Sequence, residues 1–306
     1  MPANTRAVKR RIRSVASTQQ ITRAMKMVAA AKLRRAQERL FAMRPYADAL
    51  EGLLGRLLPY AFGDEHPLLM TRPVKKVAVL FVTSDKGLCG GFNANLFRRL
   101  NGFLQEKSGV DTGLVTVGRK GEQYFAKRGA EIIKAYRDIY DDLDYTHADI
   151  VSEDLVERYL GGEFDELYIL YSRFVSAITQ KQEVTKLLPF DADRYLTPDT
   201  SVFEGVAAGE KPAWSDEIVL PDIIVEPDLD ATLTGLIQRV QTTEIFRYLL
   251  ESISSEHAAR MTAMEAATSN AGDMIDRLTL QLNRARQAAI TTELTEIVAG
   301  ADAIQQ

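Results

Sequence analysis

Two apolar rhythms divide this chain. Towards the C-terminus Met264, Thr268, Ala271, Ile275, Leu278, Leu282, Ala285 and Ala289 recur in alternating steps of four and three. That spacing is the seam of a helix lying against another helix. At the N-terminus Val8, Ile12 and Val15 begin a comparable stripe. The apolar positions then pass to Ile21, Met25 and Val28, and again to Leu33, Ala36, Leu40 and Met43. Read on apolar residues alone, this stripe shifts phase between blocks and predicts an irregular seam. Small residues (Ala29, Ala30, Ala31 and Ala36 against Ala285, Ala288 and Ala289) are expected to let the two helices approach closely.

Breakers support the two helices. Residues 3–44 hold neither proline nor glycine and are rich in Ala, Arg, Lys, Gln and Met, all strong helix formers. After Pro227 only Gly235, Gly272 and Gly300 interrupt the chain. At 1.5 Å per residue the segments would be about 60 Å and about 100 Å long. A compact domain of about 150 residues has a radius of gyration of only about 15 Å. Such helices are expected to project from a globular body and to pair with each other, antiparallel.

Between them the rhythm changes. Val77–Thr83, Leu114–Val117, Ile132–Ala135 and Leu167–Tyr171 read as short buried strands, and 182–188 as a last one. Phe92–Lys107, Gly121–Arg128 and Ala148–Leu160 read as intervening helices. This alternation predicts a mostly parallel sheet covered on both faces. Residues 191–227, rich in Pro, Asp and Gly and holding the single tryptophan, Trp214, read as an inserted loop or hairpin.

Charge adds a second asymmetry. The 306 residues carry a net −4, yet residues 1–59 hold 13 Lys/Arg against 3 Asp/Glu. Residues 60–227 hold 19 against 28, and residues 228–306 hold 6 against 11. A basic arm on an acidic remainder calls for an acidic partner. Nucleic acid is the weaker candidate, because residues 1–40 offer no aromatic ring to stack on bases. The arginine-rich start lacks an apolar core for secretion and is read as mature structure rather than a transit peptide.

Candidate chemistry is thin. One cysteine, Cys89, excludes an internal disulfide, and His66, His147 and His257 match no metal spacing. The turn from Thr83 to Gly91 sits where α/β folds cradle phosphate. The chain contains no Gly-x-Gly and no Gly-Lys, so neither nucleotide fingerprint is present. Cys89 reads as a small buried residue, and Asp138, Asp141, Asp142 and Asp144 as a solvated acidic turn. No catalytic, cofactor or metal residue is assigned. An α/β nucleotide-dependent enzyme with a coiled-coil arm is the competing reading, and a basic nucleic-acid scaffold a third.

Three blocks carry a resemblance. Residues 12–37 (IRSVASTQQITRAMKMVAAAKLRRAQ), 84–95 (SDKGLCGGFNAN) and 282–300 (LNRARQAAITTELTEIVAG) resemble, in order, signatures of the γ subunit of rotary F-type ATP synthases of the bacterial type. The resemblance implies a long antiparallel coiled coil of N- and C-terminal helices plus a Rossmann-like central α/β domain. The parts would be 1–59 (first shaft helix), 74–190 (α/β domain), 191–227 (insertion) and 228–306 (second shaft helix). It further implies a non-catalytic rotor shaft inside a hexameric ring of α and β subunits. That shaft would stand against an ε subunit and a membrane c-ring, with δ, a and b subunits in the same complex. Met25, Lys26, Arg34, Arg35, Arg260, Arg286, Gln287 and Thr291 would face the moving parts of β. The implied location is the cytoplasmic side of a bacterial plasma membrane, held peripherally. Residues 191–227 match no signature of the family, and no cysteine there could act as a thiol switch.

Overall fold

The computed structural model describes residues 3–58, 66–140, 143–195, 226 and 228–304. Most of the expected insertion, Trp214 included, therefore lies outside the described residues, as do Asp141 and Asp142. The chain divides into two compact units, Met1–Ala31 with Ala259–Gln306, and Lys32–Ala258. Two long helices, α1 (Ala3–Leu57) and α5 (Leu229–Ile304), supply residues to both.

In the first unit the α5 seam holds as the spacing predicts. Met264, Ala271 and Leu278 are buried, and Thr268, Ile275, Leu282, Ala285 and Ala289 are half-buried. The α1 seam differs from expectation. Ile21 and Val28 are exposed, 57% each. The covered positions are instead Val8, Ile12, Val15, Gln19, Thr22, Lys26 and Ala29, stepping four and three without a break. The stripe keeps its phase; polar side chains occupy three consecutive seam places.

Those polar groups fix how the helices meet. Lys26 Nζ lies 2.5 Å from Glu265 Oε1, and Thr22 Oγ1 lies 2.8 Å from Thr268 Oγ1. Gln19 Nε2 donates to the Thr268 carbonyl at 3.3 Å, and the same nitrogen would stand 3.1 Å from a Cβ added at Gly272. Each step back along α1 is matched by a step forward along α5, so the pair is antiparallel. Ala29 to Ala31 accordingly stand level with residues near Met261, not with Ala285 to Ala289. The family resemblance drew attention to Lys26, but its partner Glu265 could not be named before the register was known.

The second unit is an α/β layer structure. Its other elements are β1 (Lys76–Val82), α2 (Phe92–Glu106), β2 (Asp111–Val117), α3 (Arg119–Ala126), β3 (Ile132–Tyr136), α4 (Tyr145–Leu160), β4 (Glu166–Phe174) and β5 (Gln180–Leu188). The sheet order is β3-β2-β1-β4-β5. The first four strands run parallel, and β5 returns antiparallel to β4 along the edge. Central strands covered on both faces need continuous apolar runs. VAVLFV of β1 is such a run and is wholly buried.

On one sheet face Leu80, Val82, Val115 and Ile169 pack with Val151, Leu155 and Tyr159 of α4, Leu54 and Leu57 of α1, and Ile237, Val240 and Leu249 of α5. On the other face Phe81 meets Phe125 edge-on at 5.5 Å, and Phe97 stacks on Tyr124 at 4.1 Å. The α1 stripe in this unit keeps a four-three rhythm through Leu33, Ala36, Leu40, Met43, Ala47, Leu50, Leu54 and Leu57. Pro45 sits inside α1 on its exposed side, where a missing N–H is tolerated best. Asp144 starts α4 with a capping box, accepting from His147 N at 3.1 Å while His147 Nδ1 accepts from Asp144 N at 3.3 Å. Asp138 pairs with Arg119 at 2.5 Å. The acidic stretch thus holds a helix cap and an ion pair at its two described ends.

Candidate functional site

The glycine-rich turn after β1 is built from its side chains inward. Thr83 Oγ1 donates to the Val117 carbonyl at 3.1 Å and accepts from Gly121 N at 2.8 Å. Ser84 N donates to Asn93 Oδ1 at 3.2 Å, and Asn93 Nδ2 donates to Ser84 Oγ at 2.7 Å. Asp85 Oδ1 accepts from Arg119 N at 3.0 Å, tying the turn to the start of α3. Cys89 is buried, with Asn93 Nδ2 at 3.3 Å and Ser84 Oγ at 3.8 Å from its sulfur. Leu88 is the exception: it takes a positive φ of 63° and is 64% exposed. The turn thereby spends its polar side chains on joining β1, α2 and α3 and turns one apolar side chain outward. Among the described residues no group of three or more His, Cys, Asp or Glu is placed to hold a metal.

The residues singled out from the sequence fall into separate places. In the first unit Met25 is half-buried beside Lys26, whose ammonium is engaged by Glu265. Arg260 is half-buried on α5. Arg286, Gln287 and Thr291 lie exposed further along α5, with Thr291 Oγ1 donating to the Gln287 carbonyl at 3.0 Å. Twenty-one residues of helix separate Glu265 from Arg286, or about 30 Å. These residues make no single cluster; they mark two levels on one helical pair. In the second unit Arg34 is exposed and holds Glu38 one turn on at 2.9 Å. Arg35 lies on the lip of a groove of about 120 Å³ with Lys32, Arg39, Tyr140 and His257. Arg39 Nη1 donates to the Leu143 carbonyl at 2.6 Å. Tyr140 is pushed to a higher pKa first by burial and then by the charge of Glu256.

Most of this basic surface is therefore carried on one long helix with an acidic neighbour at intervals. Such a surface suits contact with a large partner better than capture of a small molecule. The family model described as ATP synthase matches residues 4–304. The chain belongs to the ATP synthase gamma-chain family. It is 48% identical over 303 residues to the ATP synthase gamma chain of Moorella thermoacetica, covering 99% of this chain and 100% of the relative. It is 46% identical to the gamma chain of Desulfitobacterium hafniense, covering 99% and 100%. The gamma chain of Pelotomaculum thermopropionicum is 44% identical, covering 98% and 99%.

Solved structures of ATP synthases carry the same fold. A chain of the Euglena gracilis mitochondrial ATP synthase, determined with OSCP, F1 and the c-ring, superposes with a TM-score of 0.69 at 19% identity, over 98% of this chain and 94% of that one. A chain of the central stalk and c-ring of the Tetrahymena thermophila mitochondrial enzyme gives 0.59 at 24% identity, over 81% and 99%. As a gamma chain, this protein is one subunit of an ATP synthase. Among the described residues no helix is long and apolar enough to cross a membrane.

Proposed function

We propose that this chain is the central rotor of a bacterial rotary ATP synthase, turning with a membrane c-ring and driving the catalytic β subunits in sequence through their nucleotide states. The observation that carries this reading is the α1–α5 pair, which joins residues 239 apart in sequence into one two-stranded coil. The gamma-chain relatives support the assignment, as does the likeness in fold to a chain of the Tetrahymena central stalk and c-ring. So does the outward basic charge of α1, which suits acidic loops of a surrounding ring of α and β subunits.

On this reading the chain does no ATP chemistry itself, in keeping with a glycine-rich turn that carries neither nucleotide fingerprint. Met25, Lys26, Arg260, Arg286, Gln287 and Thr291 would face β from the first unit, and Arg34 and Arg35 from the second. An ε subunit and the c-ring would bear on the α/β unit, with δ, a and b completing the complex at the cytoplasmic face of the plasma membrane. The direct test is a reversible disulfide between a cysteine placed at Arg34 and one in an acidic loop of β, in the assembled complex. Turnover should stop on oxidation and return on reduction. Full turnover while cross-linked would overturn the rotor assignment.

A further inference from the structure

Among the described residues the α1–α5 seam of the first unit is apolar except over one short stretch. There Gln19, Thr22 and Lys26 of α1 meet Gly272, Thr268 and Glu265 of α5. Thr22 is 8% exposed, and its hydroxyl stands 3.0 Å from the Gln19 carbonyl of its own helix and 2.8 Å from Thr268 Oγ1 across the seam, while Thr268 Oγ1 also donates to the Met264 carbonyl at 2.7 Å. The apolar residues on either side do not define an axial position by themselves. Val8, Ile12 and Val15 face a run of Ile275, Leu278 and Leu282, and aliphatic side chains of similar size pack nearly as well after one helix moves along the other. Non-directional burial resists separation of the helices, not sliding. Hydrogen bonds between fixed atoms do resist it: a displacement of one turn breaks the Thr22–Thr268 and Gln19–Thr268 contacts and leaves the Gln19 amide against an aliphatic neighbour, although each threonine hydroxyl keeps a carbonyl of its own helix.

We infer that Gln19, Thr22 and Thr268 are positioning residues that lock the axial register of α1 against α5. Lys26 and Glu265 extend the lock to the edge of the seam. A polar residue inside an otherwise apolar coiled-coil seam is a known means of selecting one register. Bending such a pair lengthens the path of the outer helix relative to the inner one, so load on the coil appears at the seam as sliding. The lock sits where that shear must pass, and it keeps Met25 and Lys26 on α1 at a constant distance from Arg286 and Gln287 on α5. This role rests on the rotor reading only for its use; the register itself is a property of the chain.

Spin labels on cysteines placed at exposed Ser17 and Asp273, which stand level across the pair, report the register in the full chain assembled with α and β. Cys89 is buried and takes no label. The native sequence should give one narrow distance distribution. Replacing the polar layer by shape-matched apolar residues (Gln19→Leu, Thr22→Val, Thr268→Val) should add a population displaced by about one turn, 5.4 Å. Thr22→Ser with Thr268→Ser keeps both hydroxyls and should restore the single peak. If the apolar triple variant does not assemble, Thr22→Val alone, which keeps shape and removes one hydroxyl, should broaden the native peak. A distribution that superimposes on the native one in the apolar variants overturns the inference. A displaced population in the apolar variants together with no ATP-driven rotation of the native chain against α and β would leave the register lock standing and overturn the rotor reading.

Discussion

At the scale of single residues, the most informative side chain is Glu251, which lines a cavity of about 540 Å³ with Arg173, Arg247 and Tyr248. Burial raises its pKa, against the opposing pull of Arg247 and Arg173. A carboxyl whose folded pKa lies above its unfolded value costs stability above the folded pKa, and that cost disappears as the pH falls towards the ordinary carboxylate value. Glu251→Gln should therefore raise the melting temperature at pH 7, and the gain should shrink on acidification. A constant gain across pH would show that titration is not its source. Gly118 is the opposite kind of position. Its φ is +89°, and a Cβ there would lie 2.1 Å from the Thr83 carbonyl oxygen. Gly118→Ala should cost about 3 kcal/mol or more in chemical denaturation, because backbone rather than a flexible side chain must give way. Neither residue was legible as special in the sequence. A half-buried glutamate looks like any other until its neighbours are known, and a glycine's φ is set by the turn around it.

At the scale of elements, the strands were legible because a doubly covered parallel strand needs a continuous apolar run, which VAVLFV of β1 supplies and LYILY (Leu167–Tyr171) supplies within the longer β4. The antiparallel return of β5 was not, since its partly buried residues (Gln180–Leu188) look alike in either direction. The seam of α1 was misread for a physical reason. A search for apolar residues skips Gln19 and Thr22, whose polarity is compensated by partners on a helix almost 250 residues away. The seam also makes a sharp energetic prediction. Leu278 is 7% exposed and Leu280, two positions on, is 60% exposed. Leu278→Ala should lower stability by about 2 kcal/mol, at the low end for a buried leucine because only one helix covers it. Leu280→Ala should stay within about 0.5 kcal/mol. Equal effects in thermal melts of the two variants would contradict this register.

At the scale of the whole molecule, the basic start and acidic remainder serve two ends. Part of the excess is engaged internally, as in Lys26 with Glu265, Arg34 with Glu38 and Arg39 with the Leu143 carbonyl; other basic side chains of α1, such as Arg35, stand exposed. Exposed ion pairs contribute only about 0–1 kcal/mol each. Changing Arg34, Arg35 and Arg260 together to Gln should therefore leave co-purification with α and β intact while altering the ratio of ATP turned over to protons moved. Loss of assembly would show instead that these charges hold the complex together. The long reach of the α1–α5 contact has a consequence in time as well. Chains emerge at about 5–20 residues per second, and Glu265 follows Lys26 by 239 residues. For about 10–50 seconds of its own synthesis the first helix thus waits beside the ribosome with half of its seam uncovered. A nascent chain in that state is a ready client for a holding chaperone.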